Sequence, residues 1–517
     1  MKKFVGYLIN VCTQIFDYVF STYKDQYAHN IKKNGIFIRI HLISIILISE
    51  TIMPSDKKLI SILSFGGRGD IQPFIAIGMS LHNTYDVRIL SNAGHKDFVE
   101  GNGLTFVPCY PHDPEEQLRT NNKLRSAMVN GKLIIILNEL DKTSKADGPF
   151  LFEKTIQELT NHPPDLFLVG SVGVYFEYYA KYILKLRVLP VYLQTIGYNI
   201  NHAPLGLPNL PFGLHNYVLK LVLLQLYKSM KMFDKIASKT GKPRLDSKFK
   251  KKDFKRDIEL QLNGTRKTKT IICQSSLFHK VLFPKSDINF YIYPGPCVLD
   301  VTNQINFQED SYKAFGGAEI FQQVEDFFQK DTKRVPIYMG WGSMLGSSPE
   351  KMVLLAIQSL MKIGERGIIL GGYANLSMQL LRASTNDPEI LSYTEKNVLF
   401  VSKVSHEYLF PRVKCIIHHG GSGTIHTALR SGTPSIITPI FLDQFCHAYA
   451  INQLGVGFGF KKSLRKTSAK KLAAAIKSVL NNTTMLKRCE EVADYVRKED
   501  GNQNILKEVS NILNDEI

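Results

Sequence analysis

Tryptophan is nearly absent, with one in 517 residues, and acidic side chains are the minority, 46 against 64 Lys and Arg, for a net charge of +18. The seven cysteines, Cys12, Cys109, Cys273, Cys297, Cys415, Cys446 and Cys489, form no C-x-x-C pair and are odd in number. That excludes a disulfide framework and a zinc site and reads as a reducing compartment. No apolar run reaches the roughly 20 residues a membrane-spanning helix needs. The cleanest, 42–49, lies in a stretch interrupted by Arg39, His41 and Glu50. No signal-peptide pattern and no repeat of 20–50 residues is visible, which sets aside solenoids and propellers. The Lys runs, Lys32-Lys33, Lys250-Lys251-Lys252 and Lys461-Lys462, are scattered and carry no RNA-recognition or zinc-finger signature. Nucleic acid is therefore not an expected partner, while the positive charge leans toward an anionic membrane surface.

What is present is an α/β pattern. The length allows two or three domains. Residues 1–56 stand apart as an extension whose apolar stretch, 36–52, reads either as a helix lying on a membrane or as a buried helix. From Lys57 onward, short β-branched runs alternate with helical patterns, as in parallel sheets built from βαβ units. Strands are expected at 59–64, 87–90, 105–108, 166–169 and 188–192, and in a second series at 336–339, 367–370, 398–401, 415–418 and 435–438. The turn-formers Tyr293-Pro294-Gly295-Pro296 mark the join. Two doubly wound halves are expected; the apolar helix pattern at 214–233 and the basic patch at 239–255 read either as a pair touching a lipid surface or as a packed helix beside a solvated loop.

The run VKCIIHHGGSGTIHTALR, 413–430, reads as a strand ending at His418-His419, a glycine-rich turn over 420–424 and a helix reaching Arg430. Such a turn presents unpaired N–H groups and a positive dipole end, which bind phosphate without a metal. Gly420, Gly421 and Gly423 permit close approach; Ser422 and Thr424 offer hydroxyl donors and His419 an imidazole N–H. His418, its neighbour on the strand, should face the other way and pack. Downstream, Asp443-Gln444 at a helix start offers either an ordinary cap or an acceptor plus a donor–acceptor fork for sugar hydroxyls. Near the beginning, FGGRGDIQP places Gly67, Arg68, Gly69 and Asp70 after the first strand, before a helix entered at Pro73. The third glycine of the dinucleotide fingerprint would fall at Gln72, so an NAD site is excluded. Asp70 is then either a helix cap or a general base on a hydroxyl.

Taken in order, FGGRGDIQP, GWGS (340–343), HEYLFPR (406–412), HHGGSGT and PIFLDQF resemble the sterol 3-beta-glucosyltransferases, within the UDP-glycosyltransferase group (family 1/28-like) that includes plant and antibiotic enzymes. The resemblance covers roughly residues 57–513. It implies a GT-B fold, two Rossmann-like doubly wound domains facing across a cleft: 57–296 for the acceptor, 297–497 for the UDP-sugar, and 498–517 as a helix returning to the first domain. It implies inversion at the anomeric carbon, no cofactor beyond the UDP-sugar co-substrate and no obligatory metal, in keeping with the lack of any Asp-x-Asp triplet. Carried over, Asp70 is the catalytic base; His419, Gly420, Gly421, Ser422, Gly423 and Thr424 form the pyrophosphate site; Asp443 and Gln444 contact the sugar; Ser343 contacts a donor phosphate; and Val404 lies near uracil. The chain departs from the family at Leu442, where glycine is usual, at Ser405, where proline is usual, and at His426 and Thr427, which replace small or apolar residues.

The resulting expectation is transfer of a hexose, taken to be glucose, from a UDP-sugar to the hydroxyl of a sterol or similar lipid. Another small hydrophobic aglycone, or a non-catalytic UDP-sugar or lipid binder, are the alternatives. The ending NILNDEI lacks the terminal membrane helix of microsomal glucuronosyltransferases, so a cytoplasmic location is expected, with peripheral contact with an anionic membrane through 1–56.

Overall fold

The computed structural model describes residues 57–112, 120–194, 211–263, 265–283, 291–299 and 317–514. The extension 1–56, with its expected membrane helix, lies outside them.

Two sheets organise the described residues, and every strand pairing is parallel. The first contains β1 (Leu59–Leu63), β2 (Asp86–Asn92), β3 (Thr105–Tyr110), β4 (Leu166–Gly170), β5 (Val188–Tyr192), β6 (Thr270–Ile272) and β7 (Tyr291–Ile292), in the order 3-2-1-4-5-6-7. The second contains β8 (Ile337–Gly340), β9 (Gly367–Leu370), β10 (Val398–Val401), β11 (Ile416–His418), β12 (Ser435–Ile437) and β13 (Gly457–Gly459), in the order 10-9-8-11-12-13. Central strands such as LFLVG of β4 are buried at every position, as expected of parallel strands covered on both faces. Each sheet reverses its order beside its first strand, β1 and β8, and ligands bind at the carboxyl ends of strands at such a point.

All ten expected strands are present within about two residues, the usual boundary uncertainty. Three short ones, β6, β7 and β13, were not anticipated. Runs of two or three residues carry no periodicity, and β13 is Gly-Phe-Gly, a poor strand by composition. Its glycines are imposed by packing, since a Cβ at Gly457 would lie 2.0 Å from the Ser435 carbonyl oxygen. The basic stretch is also not all loop. Helix Lys251–Leu262 begins inside it and buries Phe254, Ile258 and Leu262, an i, i+4 stripe masked in sequence by flanking lysines. The apolar helix before it runs further than expected, Leu214–Lys239.

The chain crosses between the sheets twice, side by side. Asn502 and Asn504 donate from their side chains to the carbonyls of Val298 and Pro294, at 2.9 and 2.8 Å. Helix Gly501–Asn514 then packs Ile505, Val509 and Leu513 into the apolar cluster formed by β1 and helix Arg68–Leu81. A separate cluster joins the halves: Tyr192, Ile272 and Phe278 pack with Ile425, Ile437 and Ile451. The two sheets are thus held on one side by a continuous apolar seam, which fixes the carboxyl edges of β1 and β11 relative to one another. Among the described residues no helix is long and apolar enough to cross a membrane.

Candidate functional site

The loop after β1 turns directly into helix Arg68–Leu81, so the helix starts earlier than the Pro73 entry expected from sequence. Proline is tolerated there because the carbonyl it leaves unpaired, four residues back at Gly69, belongs to an exposed residue. Asp70 occupies the third helical position and its Oδ2 accepts the Gly67 N–H at 2.9 Å, so it caps the helix. Gly66, at φ +130, admits this: a Cβ there would lie 2.2 Å from Asp70 Oδ2. Capping does not exhaust the carboxylate. Solvent reaches it at the cleft, yet the surrounding protein raises its pKa to about 6; burial is the main cause, opposed by the Gly67 bond and reinforced by the charge of Asp443. Arg68 lies 4.8 Å from the centre of the Phe98 ring, and its charge is felt by the buried His406. Gly67 faces Ser343 in the loop after β8, with 3.8 Å between a Cβ built on it and Ser343 Oγ. Gly69 is exposed and has open space around it.

Across the cleft, β11 ends at His418 and helix Ser422–Ser431 begins after only three intervening residues, with Gly421 at its N-cap. The turn is tighter than the five residues expected, and Ser422, Gly423 and Thr424 are its first helical residues. Their N–H groups are among the four that an α-helix leaves unpaired. His418 is fully buried and its Nδ1 accepts the Gly420 N–H at 3.1 Å, which matches the packing role expected of it. His419 turns the other way. Its ring lies between two glycines: a Cβ on Gly421 would be 2.5 Å from Nε2, and one on Gly342 3.2 Å from Cε1. Burial, aided by the charge of His447, lowers its pKa to about 4, so it is neutral near pH 7 and has one N–H to give. Its Nδ1 is buried without a hydrogen-bond partner.

Two of the expected polar contacts differ in detail. The Ser422 hydroxyl donates to the Leu193 carbonyl at 2.8 Å, so its proton is committed to the first domain and only its lone pairs and backbone N–H remain. Gln444 offers half a fork. Its Oε1 accepts the N–H groups of Ile440 and Phe441, at 2.8 and 3.0 Å, leaving the amide –NH2. Asp443 makes no side-chain cap to its helix; its Oδ2 sits 3.9 Å from His447 Nδ1 and burial raises its pKa. Leu442 precedes it at φ +47, a left-handed conformation that glycine adopts at less cost. Ser405 caps helix His406–Leu409 through Tyr408 N–H at 3.4 Å, with φ −70 that proline would also adopt. Val404, half-buried, lies in the same loop after β10.

Sequence reasoning passed over His447, one helical turn after Asp443 and on its face; the i, i+4 spacing was the available signal. It also passed over Gln274 and Ser275 after β6, which no local pattern marks. Among the described residues no group of three or more His, Cys, Asp or Glu side chains is arranged to hold a metal ion.

Comparison with known proteins bears on the fold. Residues 374–514 match the model of the erythromycin biosynthesis protein CIII-like C-terminal domain. Over 464 residues, 87% of this chain, it is 25% identical to the sterol 3-beta-glucosyltransferase of Yarrowia lipolytica. Over 90% of the chain it is 26% identical to that of Saccharomyces cerevisiae (strain YJM789). The matched regions are 28% and 36% of those proteins, so the chain spans about a third of the curated relatives it matches. It is 23% identical, over 88% of its length, to UDP-sugar-dependent glycosyltransferase 52 of Dictyostelium discoideum, of which 26% is covered. Among solved structures, the kitacinnamycin glycosyltransferase superposes with a TM-score of 0.58 at 14% identity, covering 88% of this chain and 99% of the other. UDP-glucose: anthocyanidin 3-O-glucosyltransferase in complex with UDP gives 0.58 at 13%, covering 90% and 100%. The fold is GT-B.

Proposed function

For a GT-B chain homologous to the sterol 3-beta-glucosyltransferases, we propose an inverting transfer of a hexose, glucose by preference, from a UDP-sugar to the hydroxyl of a sterol or similar lipid. The observation that carries the proposal is the meeting of Asp70, from the first domain, with Asp443 and the His419 turn, from the second, at the facing carboxyl edges of the two sheets. In this reading Asp70 takes the acceptor proton as the acceptor oxygen attacks C1 of the sugar. The C1–O bond to UDP breaks on the opposite face, and the electron pair leaves with the diphosphate. The free N–H groups at the start of helix Ser422–Ser431 and the neutral His419 stabilise that charge. Asp443 and the Gln444 amide hold sugar hydroxyls, Ser343 a donor phosphate, and the backbone at Val404 the base. A carboxyl near pKa 6 is a stronger base than an ordinary aspartate and is still ionised at pH 7.

The sterol 3-beta-glucosyltransferase and UDP-sugar-dependent glycosyltransferase relatives support the sterol acceptor and a UDP-sugar donor. The test is incubation of the purified chain with a panel of radiolabelled UDP-sugars and sterols, with mass identification of the product. Asp70→Asn should reduce turnover by about 10²–10⁴-fold while UDP still binds. Undiminished turnover would remove Asp70 from the reaction, and absence of any labelled product would remove the activity.

A further inference from the structure

Behind the glycine-rich turn, the first domain reaches into the second. Gln274 and Ser275, both buried, follow β6. Gln274 Nε2 lies 3.1 Å from His447 Nε2, and the Ser275 backbone N–H donates to His426 Nε2 at 3.2 Å. On their other edges the same two rings hold carbonyls of the turn. His447 Nδ1 is 2.6 Å from the Gly420 oxygen, and His426 Nδ1 is 2.8 Å from the Ser422 oxygen. Phe278, from the first domain, lies against both rings, with centroids at 5.4 and 5.1 Å.

Hydrogen-bond chemistry fixes the proton on each ring. A carbonyl oxygen only accepts, so Nδ1 carries the hydrogen in both. The Ser275 N–H only donates, so Nε2 of His426 is a bare lone pair, while Nε2 of His447 meets the Gln274 side-chain amide. A trans peptide then transmits the constraint, because its C=O and N–H point in opposite directions in one plane. Pinning the Gly420 carbonyl inward turns the Gly421 N–H outward; the Ser422 carbonyl already points along the helix that begins there, and the His426 ring braces it.

We propose that His447 is a positioning residue that aims the Gly421 N–H at the diphosphate of a bound nucleotide, with His426 bracing the first turn of the helix beside it. Gln274 and Ser275 of the first domain set those rings. Nucleotide grip therefore depends on a residue of the opposite domain that lies behind the turn, on the side away from the ligand. This rests on reading the site as one for UDP-sugars.

The experiment is calorimetric titration of UDP into the full chain and its variants, with thermal melts to show that each is folded. Loss of one positioning hydrogen bond should weaken UDP binding by about 5- to 10-fold in Gln274→Leu and His447→Leu. The double variant should be no weaker than His447→Leu alone, since both act through one ring. His447→Asn, whose amide nitrogen overlays Nδ1, should recover affinity to within about twofold. Folded Gln274→Leu that binds UDP like the wild type, or strictly additive losses, would overturn the inference while leaving the UDP site standing. Wild-type protein that binds no UDP would overturn the site reading itself. Independently of nucleotide, ¹⁵N-histidine spectra should show both rings in the Nδ1–H form; an Nε2–H form at either ring refutes the arrangement.

Discussion

The carboxylates of Asp70 and Asp443 come from different domains, and the charge on Asp443 raises the proton affinity of Asp70 across the cleft. On the proposed mechanism Asp70 must be ionised to act as the base, so transfer should fall away as pH drops below about 6, with a slope of one on a logarithmic plot. Asp443→Asn removes the neighbouring charge and should move that acid limb to lower pH, whatever it does to sugar binding. The measurement is kcat/KM between about pH 4.5 and 8 for both proteins. A limb that stays in place would mean that the two acids do not interact.

The same shift has a consequence for stability, with the opposite preference. A carboxyl whose pKa is raised by folding stabilises the fold below its unfolded pKa, and that contribution is lost as pH rises through about 6. Asn at position 70 can still accept the Gly67 N–H and carries no charge. Asp70→Asn should therefore melt at a higher temperature than the wild type at about pH 7.5 and at the same temperature near pH 4. Equal melting at both values would show that Asp70 is not penalised by its surroundings.

Gly421 and Gly423 sit two residues apart and should respond differently to alanine. A Cβ at Gly421 meets His419 Nε2 at 2.5 Å and must displace the ring, whereas one at Gly423 meets nothing within 4 Å. Gly421→Ala should lose UDP affinity and melt lower. Gly423→Ala lies inside the first helical turn, so stability should hold or rise by up to about 0.8 kcal/mol. If the open space beside Gly423 is where the diphosphate rests, UDP binding weakens there too, without any loss of stability. Calorimetry and thermal melts on the two variants separate these outcomes.

Leu442 holds φ +47 with a side chain 39% exposed. The left-handed conformation costs a side-chain-bearing residue about 1–2 kcal/mol, and glycine gives back about 0.4–1 through its freer unfolded chain. Leu442→Gly should leave the protein more stable by about 0.5 kcal/mol, read by denaturant unfolding. A marked destabilisation would show that the leucine side chain is held by contacts worth more than the strain.

The strands that carry the site were legible because parallel strands buried on both faces are written mostly in apolar residues, as in Ile416-Ile417 before the paired histidines and in Leu59–Leu63, broken only by Ser61. The turn and Asp443-Gln444 were legible for a second reason: their chemistry, glycines with hydroxyls and an acid with an amide, is local. Which lone pair or proton remained free was not. Ser422 gives its proton to Leu193 and Gln444 turns its oxygen to its own loop, and both facts depend on backbone placed by folding. Gln274 bore no signal at all, since its partner His447 is distant in the chain.

By itself, the sequence determined the two parallel sheets, the loops at their carboxyl edges and the residue types those loops carry, because hydrophobic periodicity and turn chemistry are local properties. Only the tertiary structure decided that Asp70 is at once a helix cap and a carboxyl of raised pKa, and that the back of the glycine turn is held from the other domain. Desolvation, charge across a cleft and the sharing of single protons all depend on groups that meet through space, and no stretch of chain records them.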